Sequence, residues 1–192
     1  MTGDTQPSST VLVVEDERKL ADFYAKWLSE AHEVLVAYSG KAAIQLFDES
    51  VDVVLLDRRM PDTTGDEVLE HIRSSSSDPG VAMVTAVKPS VDVVSMGFDE
   101  YVVKPVDKEE LLSLTETLLR RAEHDEAMRR HYRIASKISL LEENLSGREL
   151  AASEEYTRLQ EELDAIDDEL SVADELSAED VGALLRSTDG EQ

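Results

Sequence analysis

The chain has 192 residues, enough for one ordinary domain and a smaller accessory domain. Hydrophobic residues make up 41% of it, which suffices for a core, and no apolar run is long enough to cross a membrane. The absence of cysteine excludes disulfide bonds and thiolate chemistry. Residues 1–9 lack the basic start and apolar centre of a signal peptide, so we expect a cytoplasmic protein with no membrane partner. Residues 1–9 and 187–192 are expected to be disordered.

The formal net charge is −24, from 43 acidic and 19 basic residues. Such an excess disfavours nonspecific contact with nucleic acid or anionic membranes. The composition favours a halophilic host, in whose salty cytoplasm an acidic surface keeps proteins soluble while salt screens the self-repulsion. A surface adapted to a basic partner is the alternative.

Short apolar runs alternate with helical patterns between residues 10 and 121. The apolar runs predict strands at Val11–Val14, Val34–Ala37, Val53–Leu56, Val81–Thr85 and Tyr101–Val103. The segments between and after them predict helices at Lys19–Glu30, Lys41–Glu49, Asp66–Arg73, Val91–Met96 and from Lys108 onward. This alternation predicts an α/β domain with a five-stranded parallel sheet that helices cover on both faces.

After Pro105 the pattern becomes helical throughout. Asp107 begins a helix with a capping-box pattern, and neither proline nor glycine interrupts the sequence from there to Leu145. The segment predicts one long helix, or two helices with a hinge near residues 123–130. Ser146-Gly147 predicts its end, because glycine suits the left-handed turn at a helix C-terminus.

A further helix carries a heptad seam, formed by Tyr156, Leu159, Leu163, Ile166 and Leu170. About two heptads are too short for an independent coiled coil, so the seam needs a partner surface. The nearest is the apolar seam Ile134–Leu145, which would form an antiparallel helical hairpin with it. We favour this intramolecular closure; a homodimer or a partner helix is the alternative. Ser177–Asp180 predicts the cap of a last short helix.

Carboxylates follow two of the predicted strands. Glu15 and Asp16 come directly after the first strand, and Asp57 comes directly after the third. The C-terminal edge of the strands is where ligands bind in an open α/β sheet. If the two strands are neighbours, three anions meet there and require a cation, and an all-oxygen site suits Mg²⁺.

Residues 10–121 resemble the receiver domain of two-component response regulators. The matching motifs follow one another in the family's order: Glu15-Asp16, Asp57-x-x-Met-Pro-x-x-x-Gly65, Thr85-Ala86 and Tyr101-x-x-Lys104-Pro105. The resemblance implies a flavodoxin-like sheet of strand order 2-1-3-4-5. It also implies phosphoryl transfer to Asp57 from a sensor histidine kinase. Such a receiver catalyses only its own phosphorylation and dephosphorylation, so we do not expect an enzyme in the ordinary sense.

The resemblance further implies the ligands of the metal ion. Asp16 and Asp57 would bind Mg²⁺ directly, together with the backbone carbonyl of Arg59. Glu15 would hold the ion through a water, its longer side chain replacing the aspartate more usual there. The Arg59 side chain is expected either to be solvated or to gate water access and so tune the lifetime of the phosphoaspartate.

Three more roles are implied by the resemblance. Lys104, expected to precede a cis proline bond, would neutralise one phosphoryl oxygen, and Thr85 would donate a hydrogen bond to another. Thr85 and Tyr101 would act as the switch that alters the face formed by the fourth helix, the fifth strand and the fifth helix. Gly65 is expected to start a helix at a position of unusual backbone angles.

The segment between Thr85 and Lys104 departs from the family. It is about three residues shorter than usual, and Pro89 stands where the fourth helix would begin. The fourth helix must therefore be short, which puts a dimer built on that face in doubt. Phosphorylation could still signal along a continuous fifth helix.

Residues 122–186 resemble the HalX domain, which is appended to receivers in salt-loving archaea. The resemblance rests on Tyr132–Ile138 and on the helix start Ser153–Tyr156. The family's suggested role in transcriptional regulation implies protein–protein contact with the transcription machinery. We expect no metal or phosphorelay role for His124 and His131, because further ligands at the usual spacing are lacking.

One basic cluster interrupts the acidic sequence, within Arg120–Lys137. Partnership with neighbouring glutamates on the helix surface is the favoured interpretation. Direct DNA binding through this stretch is the alternative function. It is disfavoured because we find no helix-turn-helix with a basic recognition helix.

Overall fold

The computed structural model describes residues 9–124 and 126–188, with side chains described up to residue 171. The strands are β1 (Thr10–Val14), β2 (Glu33–Ala37), β3 (Val53–Leu56), β4 (Gly80–Thr85) and β5 (Glu100–Val103). All pair in parallel, in the order β2-β1-β3-β4-β5, which confirms the predicted flavodoxin-like sheet. The predicted disorder of residues 1–8 and 189–192 lies outside the described residues.

Helices connect the strands and continue beyond the sheet. They are α1 (Arg18–Leu28), α2 (Gly40–Leu46), α3 (Gly65–Arg73), a 3₁₀ helix (Val91–Ser95), α4 (Lys108–Ala122), α5 (Glu126–Asn144), α6 (Gly147–Ala151) and α7 (Glu154–Thr188). Within the part of the chain that the structure describes, no helix is long and apolar enough to span a bilayer.

Alternating side chains of the strands build two cores, one on each face of the sheet. Val11 and Val13 of β1 face α1 and α4, whereas Leu12 and Val14 face α2 and α3. The three central strands are buried on both faces, which accounts for their continuous apolar sequences.

The fourth helix of the receiver is reduced to a five-residue 3₁₀ helix, which confirms the expected shortening. Proline at position 89 leaves little chain for a full helix before β5 begins at Glu100. Val93, at the centre of the 3₁₀ helix, is completely buried. The short element is therefore a packed part of the core.

The helical C-terminal half differs from the expectation in three places. The prediction of one long helix after Asp107 is wrong, because α4 ends at Ala122 and α5 begins at Glu126. The alternative of two helices with a hinge near residues 123–130 is confirmed. Gly147 does not end a helix in the left-handed conformation, since no described glycine has a positive φ. Instead, Ser146 caps α6 in a capping box with Glu149, a pairing that fixes a helix start.

The predicted separate helix after Ser177 is also wrong, because α7 continues from Glu154 to Thr188. Neither proline nor glycine occurs between residues 154 and 181, so nothing there forces a break. The predicted disordered tail therefore overlaps the last two residues of α7, and residues 189–192 lie outside the described part.

Helices α5 and α7 form the predicted antiparallel hairpin. The Tyr156 hydroxyl donates to Glu142 at 2.5 Å, while His131 lies 2.9 Å from Asp167 near the other end of the pair. Apolar residues fill the space between the helices: Ile134, Ile138, Leu141, Leu159 and Ile166. The hairpin thus closes on itself, as the two seams predicted.

The hairpin also packs on the receiver, and its core is continuous with the core beneath the 3₁₀ helix. Arg133 of α5 contacts Asp99 at 2.8 Å, and Arg73 of α3 contacts the other oxygen of the same carboxylate at 2.7 Å. Arg121 at the end of α4 contacts Glu100 at 2.7 Å. The hairpin therefore occupies part of the face formed by the 3₁₀ helix and β5, on which a dimer was already in doubt.

The basic cluster is thus structural, although its partners differ from the predicted ones. Arg121, Arg129 and Arg133 pair with carboxylates of the receiver, and Arg130 pairs with Glu162 across the hairpin. Neighbouring glutamates of the same helix had been expected. For Arg129 and Arg133 the difference arises because the hairpin is docked on the receiver, and for Arg130 because α7 packs against α5.

Two glycines in helix-starting positions provide a test of packing. A Cβ atom on Gly65 would lie 2.3 Å from the backbone oxygen of Asp57, whereas one on Gly147 would meet nothing within 4 Å. We expect Gly65→Ala to lower the free energy of unfolding by about 2 kcal/mol through overpacking. Gly147→Ala should raise it by up to about 1 kcal/mol, because alanine favours the helix. Urea unfolding at constant salt measures both; equal effects would contradict this account.

Candidate functional site

The site lies where β1 and β3 end side by side. Val14 and Leu56 are register partners, and the Asp57 amide continues the ladder by donating to the Val14 carbonyl at 2.9 Å. The next residues therefore emerge together at one edge of the sheet. Carboxylate oxygens of Glu15, Asp16 and Asp57 all lie within 4.8 Å of one another.

Lys104 joins this cluster from the end of β5. Its amide donates to the Thr85 carbonyl at 2.9 Å, and the following bond to Pro105 is cis, as the resemblance implied. Its ammonium lies 2.5 Å from Glu15 Oε2 and 2.6 Å from Asp57 Oδ2. One cation therefore bridges two carboxylates that come from different strands.

Burial and charge oppose each other within this group. Glu15 is 3% exposed, and burial is the main cause that raises the pKa of its carboxyl above the usual value, against the lowering effect of Lys104. Burial also disfavours the Lys104 ammonium, but the bonds to Asp57 and Glu15 outweigh it and raise its pKa. The Lys104 ammonium and the Glu15 carboxylate are both largely buried, so each compensates for the solvation that the other has lost.

The donor set fits a hard divalent cation. The three carboxylates offer only oxygen atoms, which is the chemistry that Mg²⁺ prefers. Asp16 is exposed and gives access from solvent, whereas Asp57 is 8% exposed. The Arg59 amide donates to Asp57 Oδ1 at 3.1 Å, so the backbone of residue 59 lies next to the Asp57 carboxylate.

Gly65 supports the loop that follows Asp57, but not for the predicted reason. The prediction of unusual backbone angles is wrong, because the φ of Gly65 is not positive. Its amide donates to the Arg58 carbonyl at 2.9 Å, so the start of α3 lies directly against the backbone of residues 57 and 58. Only a residue without a side chain permits this close approach.

The predicted switch residues lie near each other and share a neighbour. Thr85 is fully buried, and its hydroxyl accepts from the Val87 amide at 3.3 Å. The Tyr101 hydroxyl donates to the Val87 carbonyl at 2.9 Å, and its ring packs edge-on against Phe98. Movement of the loop after β4 would therefore change the hydrogen bonds of both side chains. Their role as a switch stays a prediction.

The ion pairs of Arg58 were not predicted from the sequence. Its side chain is only 15% exposed and pairs with Asp66 at 3.0 Å and with Asp92. Although burial opposes the charge, these two carboxylates raise the pKa of the guanidinium. Arg58 and Asp66 are eight residues apart with a helix start between them, so no helical or strand periodicity predicts their contact. Arg58 and Asp92 are 34 residues apart, which no local pattern could reveal.

Comparison with known families agrees with this geometry. The model of the response regulator receiver domain matches residues 11–116, and that of the HalX domain matches residues 120–185. The chain belongs to the response regulator family. The domain boundary predicted between residues 121 and 122 stays a prediction.

Full-length relatives are longer than this chain. A Haloferax volcanii protein whose name suggests a transcriptional regulator is 43% identical over 157 residues, which are 81% of this chain and 27% of that protein. The sensory transduction protein RegX3 of Mycobacterium tuberculosis is 40% identical over 62% of this chain and 54% of its own. The transcriptional regulatory protein YrkP of Bacillus subtilis is 36% identical over 79% and 63%. The chain spans less than two thirds of each of these relatives.

Solved receiver domains have the same architecture. The response regulator TrrA of Thermotoga maritima, in complex with Mg(2+)-BeF, is 32% identical with a TM-score of 0.52, covering 58% of this chain and 99% of TrrA. A CheY-like receiver of Methanospirillum hungatei is 27% identical with a TM-score of 0.55, covering 60% and 97%. Each likeness covers no more than 60% of this chain.

Lys104→Met tests the charge balance of the site. It removes the ammonium that Glu15 and Asp57 share, so we expect the free energy of unfolding to fall by about 2 kcal/mol near neutral pH. Because the folded pKa of Lys104 is raised, its contribution is full below the unfolded lysine pKa of about 10.4 and is lost as the pH rises through the folded value. Urea unfolding at a series of pH values gives the difference between the two proteins.

Lys108→Met is the matched control, because Lys108 pairs with Glu30 at the surface, where both side chains are well exposed. Its removal should change stability little. A loss as large as that of Lys104→Met, or a Lys104 contribution that persists at alkaline pH, would contradict the assigned balance.

Proposed function

We propose that this protein is a two-component signalling protein whose receiver accepts a phosphoryl group on Asp57 from a sensor histidine kinase. The C-terminal HalX hairpin then conveys the state of the receiver to the transcription machinery by protein–protein contact. Turnover of a separate substrate is not part of this function. The single observation that carries the proposal is the Lys104 ammonium bonded to Asp57 and Glu15 beside Asp16.

The chemistry is a transfer between two nucleophiles. A carboxylate oxygen of Asp57 attacks the phosphorus of a phosphohistidine, forming an O–P bond as the N–P bond breaks. The electron pair of that bond leaves with the imidazole, which takes a proton from solvent. Such transfers depend mostly on positioning and charge neutralisation, for which a lysine ammonium and a threonine hydroxyl are suited.

The metal ion would be Mg²⁺, held by Asp16, Asp57 and the backbone carbonyl of Arg59, with Glu15 acting through a water. Bound there, the ion would supply positive charge to the phosphoryl oxygens. Lys104 provides the second positive charge and, before transfer, holds Asp57 in place. Thr85 would donate to a phosphoryl oxygen once its hydroxyl turns from the Val87 amide.

Direct DNA binding through Arg120–Lys137 is not favoured as the output. Arg121, Arg129 and Arg133 are already bonded to receiver carboxylates, so phosphate contacts would have to replace these pairs. Protein contact through the hairpin needs no such exchange. This favours a partner protein, or a second copy of the chain, over nucleic acid.

Asp57→Asn is the direct test. Incubation with acetyl phosphate and Mg²⁺ should phosphorylate the natural protein, as measured by intact mass, and the label should be lost in Asp57→Asn because the amide is not a nucleophile. Omission of Mg²⁺ should reduce the label strongly.

Asp62→Asn is the matched control, since Asp62 is an exposed aspartate five residues away on the same loop. It should be phosphorylated as the natural protein is. Equal labelling of Asp57→Asn, or no labelling of the natural protein, would refute the proposed function.

Arg59→Ala tests whether this exposed side chain shields the phosphoaspartate from water. We expect the phosphorylated variant to lose its phosphate several-fold faster, followed by mass after removal of acetyl phosphate. Arg148→Ala, which removes an exposed arginine from α6, is the control. An unchanged rate in Arg59→Ala would refute the shielding role.

A further inference from the structure

A small cavity lies where the end of α4 and the start of β4 meet α5. Its volume is about 20 Å³, and three arginines line it, Arg121, Arg129 and Arg133. Because roughly 10–15 Å³ accommodates one water molecule, the cavity has room for one small ligand. Arg121 belongs to α4 and the other two arginines belong to α5, so such a ligand would contact both the receiver and the hairpin.

The charges beside this cavity do not cancel within the part of the chain that the structure describes. Arg129 and Arg133 pair with Asp78 at 3.1 and 3.4 Å, and Arg133 also pairs with Asp99 at 2.8 Å. Arg73 bonds to both of these carboxylates, at 2.7 Å each. Two carboxylates therefore serve three guanidinium groups, which leaves one positive charge in excess although the net charge of the chain is −24.

Arg121 adds hydrogen-bond donors to the cavity without adding to this excess. Its charge is balanced by Glu100 at 2.7 Å, and its guanidinium lies 5.0 Å from the centre of the Tyr132 ring, which holds it in place. Its bonds to Glu100 and Ser136 both come from Nη1. A guanidinium has five N–H groups, so others remain for a ligand.

One donor of Arg129 is buried without a partner among the described residues. Its Nε is shielded from solvent and makes no hydrogen bond there, whereas Nη1 of the same group bonds to Asp78. Buried donors are nearly always satisfied in folded proteins, because an unmade hydrogen bond is destabilising. The position of this donor therefore favours an acceptor at the cavity.

The excess of positive charge also acts beyond the cavity, on Lys137 of α5. Lys137 is 7% exposed, and its ammonium donates to the Val94 carbonyl at 3.0 Å rather than to a carboxylate. Burial is the main cause that lowers the pKa of this ammonium to about 8, and the charges of Arg133 and Arg73 act in the same direction. An anion close to these arginines would reduce that repulsion.

We propose that the cavity is a binding site for one halide ion, such as chloride, held by the guanidinium groups of Arg121, Arg129 and Arg133. A monoanion matches the single excess charge, and a monatomic ion matches a volume close to that of one water. Sulfate and phosphate are larger, because four oxygens surround the central atom, and a water molecule would leave the charge uncompensated. The bound ion joins α4 to α5 and stabilises the junction, independently of phosphorylation at Asp57.

The line width of the ³⁵Cl magnetic resonance signal measures chloride binding directly. The full-length protein in potassium chloride should broaden the signal, and added bromide should reverse the broadening more than sulfate does at equal ionic strength. Arg129→Gln should weaken binding about tenfold, because it removes the excess charge and the unpaired donor. The urea midpoint of the natural protein should also be higher in chloride than in gluconate at equal ionic strength, and Arg129→Gln should abolish this difference.

Arg130→Gln is the matched control, since Arg130 is the next residue of α5, is more than half exposed and pairs with Glu162 across the hairpin. It should bind chloride as the natural protein does. If it reduces the broadening as much as Arg129→Gln, general surface charge holds the ions and the proposal fails. Absence of broadening in the natural protein overturns it as well.

A second variant keeps the proposal testable if circular dichroism shows that Arg129→Gln does not fold. Ala122→Leu adds apolar volume to the wall of the cavity and leaves every arginine in place. It should lose the broadening that bromide reverses. Undiminished chloride binding by folded Ala122→Leu would place the ion elsewhere and overturn the proposal.

Discussion

The structure depends on one ammonium group between two carboxylates that cannot both be solvated. Glu15 and Asp57 end two neighbouring central strands, and each is less than a tenth exposed. Without a cation they would repel each other at the edge of the sheet. Lys104 supplies that cation from the far side of β4, so the strand order 2-1-3-4-5 is what makes the site possible. A site built in this way accepts a second cation or an anion only by rearranging existing bonds, which suits a switch.

The short 3₁₀ helix determines where the C-terminal domain sits. The element between β4 and β5 covers less of the sheet than a longer helix would. Because only five residues are helical, Val93 and Phe98 are instead covered in common with the hairpin core. Burial of apolar area stabilises such a junction by roughly 25 cal/mol per Å². The receiver and the hairpin therefore complete one another's core, and any change in the 3₁₀ helix affects both.

Features that depend on residues close in sequence could be predicted, whereas contacts between residues far apart in sequence could not. The strands and the carboxylates at their ends were predictable, because period and turn residues are local signals and parallel strands bring their ends together. Arg58–Asp92 and Lys137–Val94 are 34 and 43 residues apart, and no local pattern encodes them. Two predictions failed although they followed local rules. Gly147 was predicted to end a helix, but the capping box at Ser146 makes it the first residue of α6. Ser177 was predicted to cap a new helix, but α7 continues through it because no helix-breaking residue interrupts that segment.

The placement of the arginines explains how so acidic a protein keeps its two parts together. The net charge is −24, yet Arg129 and Arg133 of α5 lie at the junction, where Asp78 and Asp99 of the receiver receive them. Salt screens exposed pairs strongly and partly buried pairs much less. The junction can therefore persist at ionic strengths that remove the contribution of surface pairs such as Lys108–Glu30. An environment that weakens the repulsion between acidic surfaces leaves these contacts as the main electrostatic link between receiver and hairpin.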